Sequence, residues 1–191
     1  MVDQFIRVSD ADVRRVTSML ADVKNGANKA MVTAINDTIK TTRVQAKKAL
    51  GQKLNLKASR INQNLKEEKA NYSNIYGRFY SQGEPVGLVS FGATQKSSWA
   101  GTKVRVYKSS PREVIKHAFI TTAKRAINVF WRAKDGGKRV PRYPLEIRKG
   151  PRIEDVLAKP EIYNPLNEQA SVLLAKNLDK KIADILRRHR G

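Results

Sequence analysis

The chain has 191 residues, of which 38 are Lys or Arg and 17 are Asp or Glu, so its formal net charge is +21. The absence of cysteine excludes disulfides, thiolate metal sites and cysteine nucleophiles, and the two histidines, His117 and His189, leave a zinc or haem site almost without ligands. Because so much uncompensated charge repels itself, we expect an anionic partner, which can be nucleic acid, an anionic membrane or an acidic protein surface.

The N-terminus and the hydropathy indicate a soluble protein made in the cytoplasm. Residues Met1-Val2-Asp3-Gln4 are polar and lack the basic region and apolar run of a signal peptide. No window approaches the roughly 20 apolar residues of a membrane span.

Two helices are predicted in the first third of the chain. Ser9 is typical of a helix N-cap, with Asp12 three residues later as an imperfect capping box, and Asn25-Gly26 predicts a break. The second helix has the clearest pattern of the sequence, because six residues at steps of three or four form one apolar stripe: Met31, Ile35, Ile39, Thr42, Ala46 and Leu50. Such a stripe normally packs inside its own domain, although in an assembly protein part of it can contact a neighbouring subunit.

The same region carries eight basic residues between Thr38 and Lys66 and no acidic one. Helical spacing places Lys40, Arg43 and Lys47 together at one side of the apolar stripe, with Lys48 beyond them. A short helix over 57–65 extends this basic region. We therefore predict a surface for an anionic partner, DNA or acidic protein, from these residues: Lys40, Arg43, Lys47, Lys48, Lys53, Lys57 and Arg60.

The middle of the chain is predicted to be mostly β-structure. Aromatic residues indicate a strand over 72–80, the Gly- and Ser-rich segment 86–101 indicates a loop or a flexible excursion, and alternation predicts a strand over 103–108. Further strands are predicted over 114–121 and 127–133. Asp135-Gly136-Gly137 predicts a tight hairpin whose second strand, over 143–147, is made an edge or an irregular stretch by nearby prolines.

A long amphipathic helix is predicted at the C-terminus. Asn164-Pro165 is typical of a helix start, with an Asn cap and Pro at the first helical position. The apolar stripe that follows consists of Leu166, Ala170, Leu173, Leu174, Leu178, Ile182, Ile185 and Leu186. Three arginines then lie at the end of the helix, where cations interact favourably with the helix dipole.

These elements predict an α+β fold, with N-terminal helices, a central and mostly antiparallel sheet of about four strands, and the long C-terminal helix. We expect one domain overall. It would comprise a helical region over 1–66, a β-rich core over 67–160 with a flexible 86–101 segment, and a C-terminal helix over 161–191 packed on the same core.

Signatures of catalysis are missing from the sequence. Gly101-Thr102-Lys103 lacks the upstream glycine spacing of a phosphate-binding loop and is better interpreted as a turn that enters a strand. Glu67-Glu68 lies at the end of a basic stretch, which favours charge balancing, and His117 is expected to be packed or hydrogen-bonded in a strand. We therefore predict no enzyme, no metal and no cofactor.

A second basic stretch runs from Lys124 to Arg152, with ten basic and two acidic residues. Trp131 and Tyr143 are interleaved with these charges, which indicates either a phosphate-tracking surface with aromatic stacking or a sheet core beneath a solvated face; we favour the core for both aromatics. The candidate residues for an anionic partner here are Arg132, Lys134, Lys138, Arg139, Arg142, Arg148 and Lys149. The candidate core or assembly residues of the whole chain are Ile35, Ile39, Phe119, Trp131, Tyr143, Leu174, Leu178 and Ile182.

Three short motifs occur in an order and at spacings that carry a family resemblance. They are Met31-Val-Thr-Ala-Ile-Asn36 at the start of a long basic helix, His117-Ala-Phe-Ile120, and Arg142-Tyr-Pro-Leu-Glu-Ile147 followed by Gly150-Pro151. From about residue 27 to residue 186 the chain resembles the minor tail protein Z family of lambda-like phages, also called tail completion proteins. The aromatic-rich segment 71–99 departs from the arginine-rich stretch of the lambda member.

The resemblance implies a virion component at the head-proximal end of a phage tail. Such proteins act late in tail assembly and make the tail competent to join the DNA-filled head. They are not enzymes, and the motif residues Phe119, Tyr143 and Pro144 would shape the sheet and its edge. The implied partners are the tail terminator, the tail tube, the head–tail connector and, in the channel, genomic DNA. The sixfold symmetry of tails implies self-association in a hexameric ring.

Two other functions stay open from the residues alone. Composition favours a sequence-independent nucleic-acid-binding protein of a ribosomal or nucleoid-like kind, although no recognised nucleic-acid-binding motif is present. A phage-borne toxin or nuclease would need a His/Asp/Glu constellation that the sequence does not show.

Overall fold

The computed structural model describes residues 2–97, 100–123, 126–132, 134–135, 138–139 and 145–190, and the side chains of these residues except those of 2–5, 134, 135, 138, 139 and 190. The predicted α+β class is confirmed. The described strands are divided among small antiparallel sheets, two of three strands and two of two strands. The chain divides into two compact units, the first formed by 1–48, 65–82 and 157–191 and the second by 49–64 and 83–156. The expectation of one domain overall stays a prediction.

The first unit contains a three-stranded antiparallel sheet in the order β1-β3-β2. Its strands are β1 (Val2–Arg7), β2 (Leu65–Glu68) and β3 (Tyr76–Ser81). β3 is central, so Tyr76 pairs with Arg7 on one side and Tyr80 pairs with Lys66 on the other. Neither β1 nor β2 is predicted from the sequence, because each is a short strand that forms by pairing with β3, which for β1 is about 70 residues away along the chain.

Two helices of the first unit follow the sequence signals closely. α1 (Asp10–Met19) has Ser9 as its N-cap, whose Oγ accepts the Asp12 backbone N–H at 3.1 Å and donates to the Asp12 carboxylate at 2.7 Å. The predicted break before α2 (Gly26–Lys53) is confirmed, with Asn25 at a φ of 58°. All six residues of the predicted α2 stripe are buried.

The α2 stripe packs against the first sheet and is fixed to it by one asparagine. A Cβ at Gly77 of β3 would overlap the Cδ1 of Ile39, so glycine is needed where α2 crosses the strand. Beside this contact, Asn36 Oδ1 accepts the backbone N–H of Ala70 at 2.8 Å, and Asn36 Nδ2 donates to the Ala70 carbonyl at 3.0 Å. The amide thus satisfies both backbone groups of Ala70, which is itself buried.

The C-terminal helix α5 (Pro160–Arg190) joins α2 through a part-buried hydrogen bond and an ion pair. Asn177 Nδ2 donates to Thr38 Oγ1 at 3.0 Å, and that hydroxyl donates to the Ala34 carbonyl at 2.8 Å, so the buried threonine is hydrogen-bonded on both sides. Lys181 pairs with Asp37 at 2.7 Å. These contacts join segments about 140 residues apart in the sequence and fix α5 to the centre of α2.

The predicted start of α5 at Asn164-Pro165 is wrong. The helix begins at Pro160, and the Lys159 carbonyl accepts the N–H groups of Ile162 at 2.8 Å and Tyr163 at 2.9 Å. Proline at the first helical position is the right signal, but an earlier proline supplies it. Pro165 lies within the helix, where its missing N–H costs one hydrogen bond near the helix start. The sequence also misses α4 (Ile153–Leu157), whose Ile153, Val156 and Leu157 are buried.

The second unit contains α3 (Ala58–Asn64), the two-stranded sheet of β4 (Thr102–Val104) and β5 (Glu113–Ile115), and α4. The segment 86–101 was expected to be a loop or a flexible excursion. It holds a 3-10 turn over Leu88–Phe91, and Val86, Leu88 and Phe91 are buried. Asn55 connects this segment to the residue that follows β4, because its Nδ2 donates to the carbonyls of Phe91 at 2.9 Å and Arg105 at 3.1 Å.

The second unit also contains the three-stranded sheet β10-β7-β6, formed by β6 (Phe119–Ala123), β7 (Ala126–Arg132) and β10 (Leu145–Ile147). Its strands β7 and β10 are linked by the short pair β8 (Lys134–Asp135) and β9 (Lys138–Arg139). The predicted hairpin around Asp135 is therefore confirmed, since β7 pairs antiparallel with β10. Its two turn glycines lie outside the described residues.

The continuous strand predicted over 114–121 is wrong. A turn at Lys116 and His117 separates β5 from β6, and His117 is exposed with a φ of 64°. The prediction that His117 is packed or hydrogen-bonded in a strand is therefore also wrong. The strand predicted over 103–108 is also shorter than expected. By contrast, Gly101 does form the predicted turn into β4: its φ is 72°, and a Cβ there would lie 2.6 Å from the Ile115 carbonyl oxygen.

We predict that a charge in the buried part of α5 destabilises the chain and that the same charge on its exposed face does not. Ile182 is buried, so Ile182→Asp is expected to cost about 3–5 kcal/mol, because a carboxylate would lose its water without a partner. The matched control is Val172→Asp on the same helix, since Val172 is 70% exposed; its expected change is within about 0.5 kcal/mol. Urea unfolding followed by circular dichroism measures both, and equal midpoints would show that the stripe of α5 is not a packing surface.

Candidate interaction surfaces

One face of α2 concentrates cations that the fold does not use. Lys40, Lys47 and Lys48 surround Val44, and positions 40, 44, 47 and 48 have the spacing of a single helix face. Lys40 and Lys48 are exposed, Lys47 is half-buried and Val44 is 57% exposed. Within the described part of the chain, these three lysines make no ion pair or side-chain hydrogen bond. We call this set of four residues the α2 lysine face.

Arg43, which the sequence grouped with these lysines, has a structural role instead. Its Nη1 lies 3.4 Å from Glu67 Oε2, and both side chains are largely covered. The pair joins α2 to β2 inside the first unit. Arg43 is thus partly neutralised, and it lies between the buried stripe and the lysine face. The structure therefore brings together Lys40, Lys47 and Lys48 of the predicted set and sets Arg43 apart from them.

The remaining basic residues of the first predicted stretch belong to the second unit. Lys53 and Lys57 are exposed, and half-buried Arg60 donates to the side chain of Asn64. Near them, Lys108 stabilises the end of α2: its Nζ donates to the Gly51 carbonyl at 2.6 Å and its N–H to the Lys53 carbonyl at 2.9 Å. A cation at a helix C-terminus offsets the dipole and satisfies carbonyls that lack helical partners.

Arginines of the second basic stretch lie over aromatic rings of the sheet β10-β7-β6. The guanidinium of Arg148 lies 3.1 Å from the centre of the Trp131 ring, and the indole N–H donates to Glu146 at 2.7 Å. Arg132 lies over Phe119, which contacts Phe130 at a ring separation of 6.4 Å. These cations therefore cover aromatic faces, an arrangement that stabilises exposed pairs by about 0.5–1 kcal/mol.

The other predicted residues of this stretch are less informative. Lys149 pairs with the exposed Glu84 at 2.9 Å, which is worth little to stability. The backbones of Lys134, Lys138 and Arg139 lie in the β8–β9 pair, while Arg142 and Tyr143 lie outside the described residues. Among the candidate core residues, Ile35, Ile39, Leu178 and Ile182 are buried; Phe119, Trp131 and Leu174 are half-buried.

The outer face of the sheet β1-β3-β2 is a further surface that the candidate set missed. Arg78 donates two hydrogen bonds to Glu68, at 2.7 and 2.6 Å, and its guanidinium lies 4.8 Å from the ring centre of Tyr80. The hydrogen bond from Arg78 holds the pKa of Glu68 below its usual range. The alternation of Tyr76, Arg78 and Tyr80 along one strand is the signal that could have identified this face.

Neither metal ligation nor membrane insertion is indicated where the structure describes the chain. No group of three or more His, Asp or Glu side chains there could hold a metal ion. No helix in the same part is long and apolar enough to cross a bilayer.

Comparison with protein families gives a match over almost the whole chain. The model of prophage minor tail protein Z (GPZ) matches residues 13–190. The chain belongs to this family. No curated protein and no solved structure matches it. As a member of a phage minor tail protein family, it is a structural component of the virion whose partners are other phage tail or head proteins.

We predict that charge reversal changes the free energy of unfolding little at the α2 lysine face and more at Arg43. The triple change Lys40→Glu, Lys47→Glu and Lys48→Glu is expected to shift the free energy of unfolding by less than about 0.5 kcal/mol per site, as at other surface positions. Arg43→Glu places a second carboxylate beside Glu67 and is expected to cost about 1–2 kcal/mol. Adding Glu67→Arg should recover part of that loss, because the swap restores an ion pair. If Arg43→Glu proved as stable as the triple variant, Arg43 would belong to the free face.

We also predict that the pKa of Glu68 depends on Arg78. In Arg78→Met the pKa should rise toward its ordinary value of 4.5, whereas the pKa of Glu84, lowered by Lys149, should not move. Because the folded pKa of Glu68 is depressed, its stabilising contribution is present above pH 4.5 and is lost as the pH falls through the folded pKa. The unmodified chain should thus lose more stability on acidification than Arg78→Met. Carboxyl carbon NMR titration measures both groups.

Proposed function

We propose that the chain is a tail completion protein, a non-catalytic component that binds the head-proximal end of the tail and makes it competent to join the DNA-filled head. The observation that carries this proposal is the family match over residues 13–190. The protein would act late in assembly, with the tail terminator, the tail tube and the head–tail connector as its neighbours. Several copies would form a closed ring through heterologous contacts, a hexamer if the ring follows the tail's own symmetry.

The distribution of charge supports a place beside an anionic partner. The second unit holds 19 basic and six acidic residues, a net charge of +13 in 90 residues, whereas the first holds 19 and 11, a net charge of +8 in 101. A ring of such chains around a channel would hold a strong positive field along the path of the genome. The α2 lysine face offers three cations that the described fold does not neutralise. Genomic DNA and an acidic neighbouring protein are both compatible with these charges.

The test is a phage that lacks this chain. We expect lysates to contain filled heads and full-length tails that are not joined, and purified protein added to the lysate should restore infectious particles. The triple lysine variant, which should fold normally, is expected to restore at least tenfold fewer particles, because charge reversal turns attraction into repulsion. Electron microscopy counts joined particles, and plaque assays measure their infectivity. Normal joining without the chain would refute a completion role.

A filter-binding titration against salt distinguishes the proposal from a dedicated nucleic-acid-binding protein. Such a protein should bind duplex DNA with submicromolar affinity and a steep dependence on salt, because phosphate contacts release counterions. A tail component is expected to bind free DNA weakly before it is assembled. Tight, salt-sensitive binding by the isolated chain, together with normal head–tail joining in its absence, would favour the alternative.

A further inference from the structure

Two exposed tyrosines and one half-buried tyrosine lie on the outer side of β3 or in the turn before it. Tyr76 and Tyr80 are four residues apart on β3 and so share its outer side, and Tyr72 lies in the turn that leads into this strand. Tyr72 is 61% exposed and Tyr76 is 47% exposed. We call Tyr72, Tyr76 and Tyr80 the tyrosine face. Tyrosine combines a large apolar area with a polar tip, and for this reason it is enriched where proteins bind one another.

The backbone that carries Tyr72 is held in one conformation. The Oδ1 of Asn71 accepts the N–H groups of Ser73 at 2.9 Å and Asn74 at 2.8 Å, and the backbone groups of Asn71 and Asn74 bond in both directions. Just before the turn, Ala70 is fixed to α2 by both hydrogen bonds of Asn36. Because the turn is ordered before any contact forms, a partner would not bear the entropy of ordering it.

The surroundings of the tyrosine face are cationic. Strand register places exposed Arg7 opposite Tyr76 and exposed Lys66 opposite Tyr80, and Lys69, which is 67% exposed, comes just before the turn. Of the described carboxylates nearby, Glu68 is already bound by Arg78, and Glu67, which pairs with Arg43, lies 3.9 Å from Lys69. Among the described side chains here, Arg7, Lys66, Lys69 and Arg78 outnumber Glu67 and Glu68, which favours an acidic partner.

The chemistry of this surface favours a protein over duplex DNA. In a duplex the faces of the bases are stacked on one another, so exposed tyrosine rings have no base on which to stack. A protein surface offers pockets for aromatic side chains and carboxylates for the surrounding cations. We propose that the tyrosine face is a docking site for an acidic protein surface of the tail or the head. This inference rests on the proposed function, because it takes the partner from the virion.

The test measures binding of the purified chain to tails from a phage that lacks it. We expect Tyr72→Ser with Tyr76→Ser to weaken binding about tenfold or more, Tyr72→Phe with Tyr76→Phe to bind nearly normally, and added salt to weaken the unmodified chain. The matched control is Val172→Ser, which removes an exposed apolar side chain elsewhere in the same unit and should leave binding unchanged. Unfolding midpoints establish that all variants are folded.

Each further outcome has a definite meaning. Equal binding by the double serine variant and the unmodified chain overturns the docking site and leaves the proposed function standing. If the unmodified chain does not bind these tails or their heads, both proposals fall. If the serine variant loses binding to labelled single-stranded oligothymidine and keeps its binding to particles, the face is a nucleic-acid site and the inference is wrong. Should the serine variant unfold, Lys69→Glu carries the test, and its undiminished binding to particles also overturns the proposal.

Discussion

Along one side of α2, apolar and threonine side chains from Met31 to Ala46 are buried, and the rest of the first unit is arranged around them. The stripe needs a glycine at position 77 so that Ile39 can approach β3, and it brings Asn36 to the backbone of Ala70. At its centre Thr38 accepts a hydrogen bond from Asn177 of α5. Burying this stripe removes much apolar surface from water, and the accompanying polar contacts fix which segments cover it.

The same helix carries the buried stripe on one side and the α2 lysine face on another. Its 3.6-residue period separates the buried stripe from the α2 lysine face, so the two do not compete for the same residues. Arg43 lies between them and is used to hold β2. We therefore expect that Lys40, Lys47 and Lys48 can be changed without disturbing the core.

The basic side chains of the two units have different surroundings. In the second unit, Arg148 and Arg132 lie over the aromatic rings of Trp131 and Phe119, so part of its large positive charge stabilises the sheet surface. In the first unit, lysines on α2 that have no ion pair among the described residues and exposed tyrosines on and before β3 form two chemically distinct surfaces. A virion protein that must bind several neighbours benefits from such a division, because each contact can have its own specificity. Membership of a phage minor tail protein family implies that the chain's partners are other tail or head proteins.

The sequence by itself determined those features that depend on neighbouring residues: the Ser9 cap, the break at Asn25, the α2 stripe, the hairpin around Asp135 and the family motifs. Helix periodicity and turn chemistry are local, so they can be seen without the fold. It did not determine β1, β2 or the sheet to which they belong, because short strands acquire their conformation from the strand that they pair with, and β1 pairs with β3 across about 70 residues of sequence. For the same reason, the sequence could not show which residues of the predicted basic surface have structural contacts. Among the described residues, Lys40 has no ion pair, Arg43 pairs with a carboxylate and Arg148 lies over an aromatic ring. Which of these occurs depends on segments that only tertiary packing brings near the basic side chain.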